Sequence, residues 1–245
     1  MKKIFFVLKF IIIFLLSSNL FGQVKISMFP LDFDLDQKYY TDLFIKINKD
    51  RTKTNYPTYE KDLKLKLEKT VKKHLLKHNI KTSDFIINKE DETSYEYMKG
   101  FLDGWGVYQK KMKSLKGKMK YEEKKKLKKS APKSSNPLTK KFGEKVDDKY
   151  ILYINAFGKF MRSKKKENKD APYRKTPSGY LDIEVVLLES QTGEVVTVFL
   201  YEIGFWSSSS KDRVTALSNK QFRWAGRKIA RKINKAINKH ENKRK

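Results

Sequence analysis

Apolar residues recur along this chain with two periods, and the switches between them mark out its elements. Val24, Ile26 and Met28 alternate with Lys25 and Ser27, the two-residue period of a strand with one buried face. Pro30 interrupts that run. Leu31, Phe33 and Leu35 then alternate with Asp32, Asp34 and Asp36, and Leu43-Phe44-Ile45-Lys46-Ile47 predicts a further short strand. From Tyr59 the period lengthens: Tyr59, Leu63, Leu67, Val71 and Leu75 recur every fourth residue with lysines between them, an amphipathic helix running to about Asn79. Asn55-Tyr56-Pro57-Thr58 supplies the polar cap and first-turn proline such a helix starts with. Phe85-Ile86-Ile87 is expected to form a short strand after it.

The stretch from Thr93 to Val146 has a different pattern. Met98, Phe101, Trp105, Tyr108, Met112, Leu115 and Met119 follow a 3-4-3-4 heptad spacing, with Lys99, Lys110, Lys111 and Lys113 off the stripe. Gly100, Gly104, Gly106 and Gly117 weaken this helix by about 1 kcal/mol each relative to alanine, so it must rest on something. A charged run, Glu122 to Lys129, and a linker from Ser130 to Pro137 follow. Order resumes with the strand Tyr150 to Ala156, and a charged loop spans Met161 to Pro177. Tyr180 to Glu189 and Glu194 to Ile203 form two strands joined by Ser190-Gln191-Thr192-Gly193, whose glycine allows positive φ. Val185-Val186-Leu187-Leu188 is apolar on both faces, as in a central strand. Val214, Leu217, Phe222, Ala225, Ile229, Ile233 and Ile237 define a last helix, with Arg223, Arg227, Arg231 and Lys235 on its outer face.

This order predicts an α+β fold: a mainly antiparallel sheet with two amphipathic helices on one face, plus a basic helical insertion. The divisions are a signal peptide at 1–22, a first part of the α+β domain at 23–92, the insertion and linker at 93–146, a second part of the domain at 147–240, and a charged tail at 241–245.

The amino terminus sets the destination. Met1-Lys2-Lys3, the apolar run from Ile4 to Leu16 and then Ser17 to Gln23 have the layout of a secretory signal peptide, with cleavage expected after Gly22. Lys9 leaves the apolar run short of the roughly 20 residues that span a bilayer. The expected location is therefore periplasmic or secreted. Cysteine is absent, which excludes disulfides, thiolate metal sites, a thiol nucleophile and lipid attachment through cysteine.

Charge changes the picture most. The chain has 56 Lys and Arg against 28 Asp and Glu, net +28, and such an excess draws in polyanions. Outside the cytoplasm these are phospholipid head groups, lipopolysaccharide, wall polymers and extracellular DNA, so intracellular nucleic acid is not the expected partner.

Candidate chemistry is thin. Asp32, Asp34 and Asp36 form D-x-D-x-D, but the calcium loop it suggests needs glycine at its sixth position and glutamate at its twelfth, where Gln37 and Leu43 stand. His74 and His78 have the one-turn spacing of a zinc pair without a glutamate after His74 or a third ligand nearby. Ser-x-x-Lys occurs at Ser130, Ser163 and Ser208 with no accompanying Lys-Thr-Gly. Gly100, Gly104 and Gly106 follow no strand and make no phosphate loop. The expectation is a non-enzyme with no catalytic, cofactor or metal residues. Its candidate interaction surface is Met98, Phe101, Trp105, Tyr108, Met112 and Leu115 with Lys110, Lys111, Arg223, Arg227 and Arg231. The alternative for the stripe is that it packs on its own domain.

The hairpin carries a resemblance. Tyr180 to Glu189 followed by Ser190-Gln191-Thr192-Gly193-Glu194-Val195-Val196 resembles the strand, Thr-Gly-Glu turn, strand segment of small periplasmic α/β proteins. These are the curli secretion-channel protein, the penicillin-binding-protein activator lipoproteins and the TolB amino-terminal domain. Val24 to Pro30 and Ala225 to Ile237 stand where that layout would put them. The resemblance implies a non-catalytic envelope component that assembles with, or regulates, other envelope proteins. This chain departs from it in having no cysteine to lipidate and in the stretch from Thr93 to Val146. The function expected is an exported adaptor or assembly factor contacting an envelope protein or an anionic surface; the alternative is direct binding of a polyanion.

Overall fold

The computed structural model describes residues 23–35, 56–114, 131–161, 178–206 and 219–244. The signal peptide and its cleavage site, the expected strand at Leu43 to Ile47, and Leu115, Met119, Val214 and Leu217 lie outside the described residues.

Alternation places β1 at Val24–Met28 and β2 at Asp32–Leu35. The four-residue period gives α1 at Tyr56–Leu76, and β3 follows at Ile80–Asp84. A single 3-10 turn, Lys89–Asp91, leads into α2 at Glu92–Ser114. Then come a short α3 at Pro137–Gly143, the twelve-residue strands β4 at Tyr150–Met161, β5 at Ser178–Glu189 and β6 at Val195–Trp206, and α4 at Asn219–Asn242. The strands make one sheet in the order β3-β1-β4-β5-β6, with β2 also on β4. This is an α+β fold with a mixed sheet. The long ladders β4–β5 and β5–β6 are antiparallel, whereas β1–β3, β1–β4 and β2–β4 are parallel. β1 and β2 act as one interrupted strand. β1 runs beside Tyr150–Leu152 and β2 beside Asn155–Gly158 of the same neighbour, with Phe29-Pro30-Leu31 between them.

The strand expected at Phe85–Ile87 lies earlier, at Ile80–Asp84. Only Ile80 of that pentapeptide is buried, which an edge strand tolerates because its other residues meet water. Phe85 instead turns into the core and Ile86 is 78% exposed.

Both faces of the sheet are covered. On the first, Leu63, Leu67, Val71 and Leu75 of α1 and Phe222, Ala225, Ile229, Ile233 and Ile237 of α4 pack on Ile26, Leu152, Ile154, Val185 and Leu187. These are the two amphipathic helices expected on one face. α1 and α4 cross where Gly226 meets Thr70: a Cβ on Gly226 would stand 2.7 Å from the threonine methyl and 3.0 Å from its carbonyl oxygen. On the second face Met98 and Leu102 of α2 and Phe142 of α3 join Ile151, Tyr153, Val186 and Leu188. An aromatic group closes that core. Phe29 stacks edge-on against Phe85 at 4.8 Å and Phe142 at 5.9 Å, with Tyr95 at 5.3 Å. The stretch expected as an insertion thus supplies a third layer.

α3 is built to hold the hairpin turn. Asn136 caps it by accepting from the Leu138 N–H at 2.8 Å, and Thr139 Oγ1 donates to the Gly193 carbonyl at 2.7 Å. Gly193 has φ +67, and a Cβ there would also strike Lys140 N at 2.5 Å, so both conformation and space require glycine. Thr139→Val, nearly isosteric, removes the one buried hydroxyl that lies between the Gly193 and Asn136 carbonyls, at 2.7 and 2.6 Å. It should cost about 1–3 kcal/mol by urea denaturation.

Candidate anion-binding cleft

α4 presents two polar flanks. Arg223, Arg227 and Arg231 lie along one, all exposed, on the side of His74 of α1, whose pKa is lowered by burial first and then by the charges of Lys77 and Arg227. Lys228, Lys232, Lys235, Lys239 and Lys243 lie along the other, spaced 4-3-4-4, which keeps them on one side of a 3.6-residue helix. This second flank overhangs β6. Between them is an open cleft of about 390 Å³, floored by Val196, Thr197, Phe199 and Ala236 and backed by His240. Lys232 sets its ammonium 4.7 Å from the centre of the Phe199 ring. Burial, and the positive charges of Lys113 and Lys228, push the Lys232 pKa below the ordinary lysine range.

The carboxylates close to the cleft are already engaged. Glu189, 1% exposed, accepts from both terminal guanidinium nitrogens of Arg244 and from Thr192 Oγ1 at 2.8 Å, with His240 Nε2 3.5 Å away. Although burial opposes it, these partners hold the Glu189 pKa down. Glu241 accepts from Tyr150 Oη and from Lys149 Nζ, the latter at 2.7 Å. Among the described residues no carboxylate pairs with Lys235, Lys239 or Lys243. Cations held at helical spacing over an apolar floor, with their neighbouring acids satisfied, suit an anion carrying some apolar surface.

The stripe singled out in the sequence is divided. Met98 is wholly buried and belongs to the core, a correction to its place on an interaction surface. Phe101 packs partly against the second-face core. Trp105 and Tyr108 are half-buried and meet edge-on at 5.9 Å, and Met112 is half-buried, while Leu115 lies outside the described residues. Lys110 and Lys111 are exposed, with Lys110 3.8 Å from Asp182 of β5. The three arginines sit across the sheet from these groups, so the fold does not gather the expected residues into one surface. The lysine flank of α4 is not among those residues, and sequence reasoning picks out only Lys235 from it, although the spacing of all five is there to be read.

Under α2 lies a second unusual group. Along the second face the row Leu188, Val186 continues as Glu184 and Asp182, and the row Ile151, Tyr153 continues as Asn155. α2 answers the change: its first half docks through Met98 and Leu102, and its lysines meet acids, Lys99 with Asp32 at 2.6 Å, Lys110 with Asp182 and Lys113 with Glu202 at 3.7 Å. Asp103 accepts from Tyr153 Oη at 2.9 Å and from Asn155 Nδ2 at 3.2 Å. Burial above all, and the charge of Asp103, push the Tyr153 phenol up. Glu184 is 6% exposed, and its Oε1 has no hydrogen-bond partner. Burial first, then the charge of Asp103, push its pKa up to about 8, against the attraction of Lys110 and the Gly106 N–H. The indole N–H of Trp105 is likewise buried without a partner.

Asp32 of the D-x-D-x-D run anchors α2 through Lys99, and His74 is buried while His78 is exposed. Among the described residues no group of three or more His, Cys, Asp or Glu could hold a metal ion, and no helix is long and apolar enough to cross a membrane.

No protein-family model and no curated protein matches the chain. Solved structures similar to it include a hypothetical protein of Chlamydia trachomatis, at 8% identity over 88% of this chain and 98% of that one, with a TM-score of 0.44. A Xanthomonas campestris protein described under the DUF330 family model is similar at 10% identity over 90% of each chain, with a TM-score of 0.40. A Helicobacter pylori protein described as a neuraminyllactose-binding hemagglutinin homologue is similar at 11% identity over 87% of this chain and 85% of that one, with a TM-score of 0.35.

Proposed function

We propose that this is a non-catalytic protein exported to the cell envelope, an adaptor or assembly factor that holds an anionic partner in the cleft between β6 and α4. The observation that carries the reading is the lysine flank of α4, free of carboxylates among the described residues and set over Val196, Thr197 and Phe199. The signal-peptide layout of residues 1–22 and the net charge of +28 support the location and the sign of the partner. The resemblance of the hairpin to small periplasmic assembly proteins belongs to the same proposal. The second reading, capture of lipopolysaccharide, wall polymer or extracellular DNA, draws on the same cations.

The test is a cross-linked pull-down of the tagged, exported protein from whole envelopes, beside a Lys235→Glu/Lys239→Glu variant. Both lysines are exposed, so the variant should keep the wild-type circular dichroism spectrum. The wild type should retain a reproducible envelope partner that the variant loses at least tenfold. Equal capture by the two proteins would overturn the reading. A polyanion would be released steeply by salt, with a slope set by the number of lysines engaged.

A further inference from the structure

β6 ends the sheet. It is twelve residues long, and among the described residues its outer edge meets backbone only at its start. There Ser135 forms an antiparallel bridge with Glu194, and the Val195 N–H donates to the Ser134 carbonyl at 2.8 Å. An antiparallel backbone thus already meets this edge at Glu194 and Val195. Long unpaired edges recruit strands unless something blocks them, and a neighbour's extended backbone is what they recruit best.

Lysines flank this edge on both faces of the sheet. On the first, α4 sets Lys232, Lys235, Lys239 and Lys243 around the floor at Val196, Thr197 and Phe199. On the second, α2 brings Lys113 to Glu202 of β6. The two walls are close enough that Lys113 acts on Lys232. A strand laid along β6 would place alternate side chains under α4, about 6.7 Å apart. The lysines of α4 recur about every 4.5–6 Å along its axis. A second copy of this chain would bring the same basic edge against itself and be repelled. An acidic segment is attracted by the α4 lysines, whereas Lys113 already has Glu202 beside it.

We infer that the open edge of β6 is a strand-addition site for an extended, acidic segment of a partner protein, with alternate carboxylates paired to the α4 lysines. This rests on the anion-binding reading of the cleft and narrows it to a polypeptide. Main-chain hydrogen bonds to β6 supply affinity, and the lysines of α4 select the charge.

The probe is a fluorescein-labelled dodecapeptide of alternating Glu and Val, titrated by anisotropy against the full exported protein at low and moderate salt. Its control replaces three valines with proline, which keeps every charge and removes the donors a strand needs. The alternating peptide should bind at least tenfold more tightly than the control, lose at least tenfold in Lys235→Glu/Lys239→Glu, and slow amide hydrogen exchange in β6. Equal binding of the two peptides, or binding that leaves β6 exchange unchanged, would overturn strand addition while leaving a general anion site in place. If neither peptide binds but phosphatidylglycerol vesicles do, with the same dependence on the two lysines, the partner is a membrane surface and the inference falls. If nothing anionic binds and the wild type and variant capture the same envelope proteins, the function proposed for the cleft falls with it; the lysines then only keep the edge from pairing.

Discussion

Wild-type protein is expected to lose stability between about pH 4.5 and about pH 8, and Glu184→Gln to abolish that loss. The folded-state pKa of this carboxyl is pushed up to about 8 from an ordinary 4.5, chiefly by burial and then by the charge of Asp103. Between those values the folded protein holds a proton that the unfolded chain has released. Stability must therefore decrease as pH rises through the window, and all of it is present only below the unfolded value. Each unit of difference corresponds to about 1.4 kcal/mol, so the loss approaches roughly 3–5 kcal/mol above pH 8. Glutamine keeps the shape, cannot ionise and adds a donor beside Asp103. The variant should thus be close to wild type at pH 4.5 and more stable at pH 9. The lowered pKa of buried His74 acts the other way, adding stability as pH rises through the ordinary histidine range, but it is common to both proteins and cancels in the difference. Urea denaturation of the pair at pH 5, 7 and 9 measures it; parallel curves at all three would show that Glu184 is solvated or paired in solution.

Much of the fold follows from periodicity because burial enforces it. The four-residue repeat from Leu63 to Leu75 lies against the sheet, as do Phe222, Ala225, Ile229, Ile233 and Ile237, and Val185 to Leu188 is covered on both faces. Pairing is less legible. Nothing in the residues of β1 and β2 shows that they run along one neighbour, since that depends on register with β4 far downstream. β3 escapes a hydrophobicity argument because four of its five residues are not buried, and Phe85–Ile87 offers a more apolar decoy.

The candidate site is hidden by abundance. With 56 basic residues, the spacing of Lys228, Lys232, Lys235, Lys239 and Lys243 has little contrast against its background. It gains meaning only once β6 is placed at the sheet's edge under that flank. Glu184 does give a signal. An acid two residues before Val186, on the same face of a strand otherwise read as central, contradicts its surroundings, and such local contradictions concentrate where a structure is doing something besides packing.

Gly143→Ala is expected to destabilise the protein by about 3 kcal/mol, and the glycines of α2 show why the number is specific to that position. A Cβ on Gly143 would lie 1.7 Å from the backbone oxygen of Ser190 and 2.5 Å from its carbonyl carbon. Backbone cannot move aside as a side-chain tip can, so α3 would be forced off the hairpin. The cap at Asn136, the Thr139 bond to Gly193 and Phe142 of the aromatic group would go with it. Overpacking of this kind costs about 1–3 kcal/mol and sometimes more, here at the upper end because several contacts share one docking. That corresponds to a fall in Tm of roughly 6–12 °C for a domain of this size. Gly100 and Gly104 sit in a helix where an added Cβ would meet nothing within 4 Å. Alanine there should raise stability by about 0.4–1 kcal/mol each, since the unfolded chain loses freedom and the helix gains propensity. Gly106, two residues on, has the tip of the Glu184 side chain 1.8 Å from where its Cβ would be; that tip is buried and would have to leave the Gly106 N–H, so Gly106→Ala should lose stability, though less than Gly143→Ala. Calorimetric scans of the four variants would separate the classes. If Gly143→Ala melted with the wild type, α3 would not be docked on the hairpin in solution. If Gly106→Ala gained as Gly100→Ala does, α2 would not be closed over Glu184.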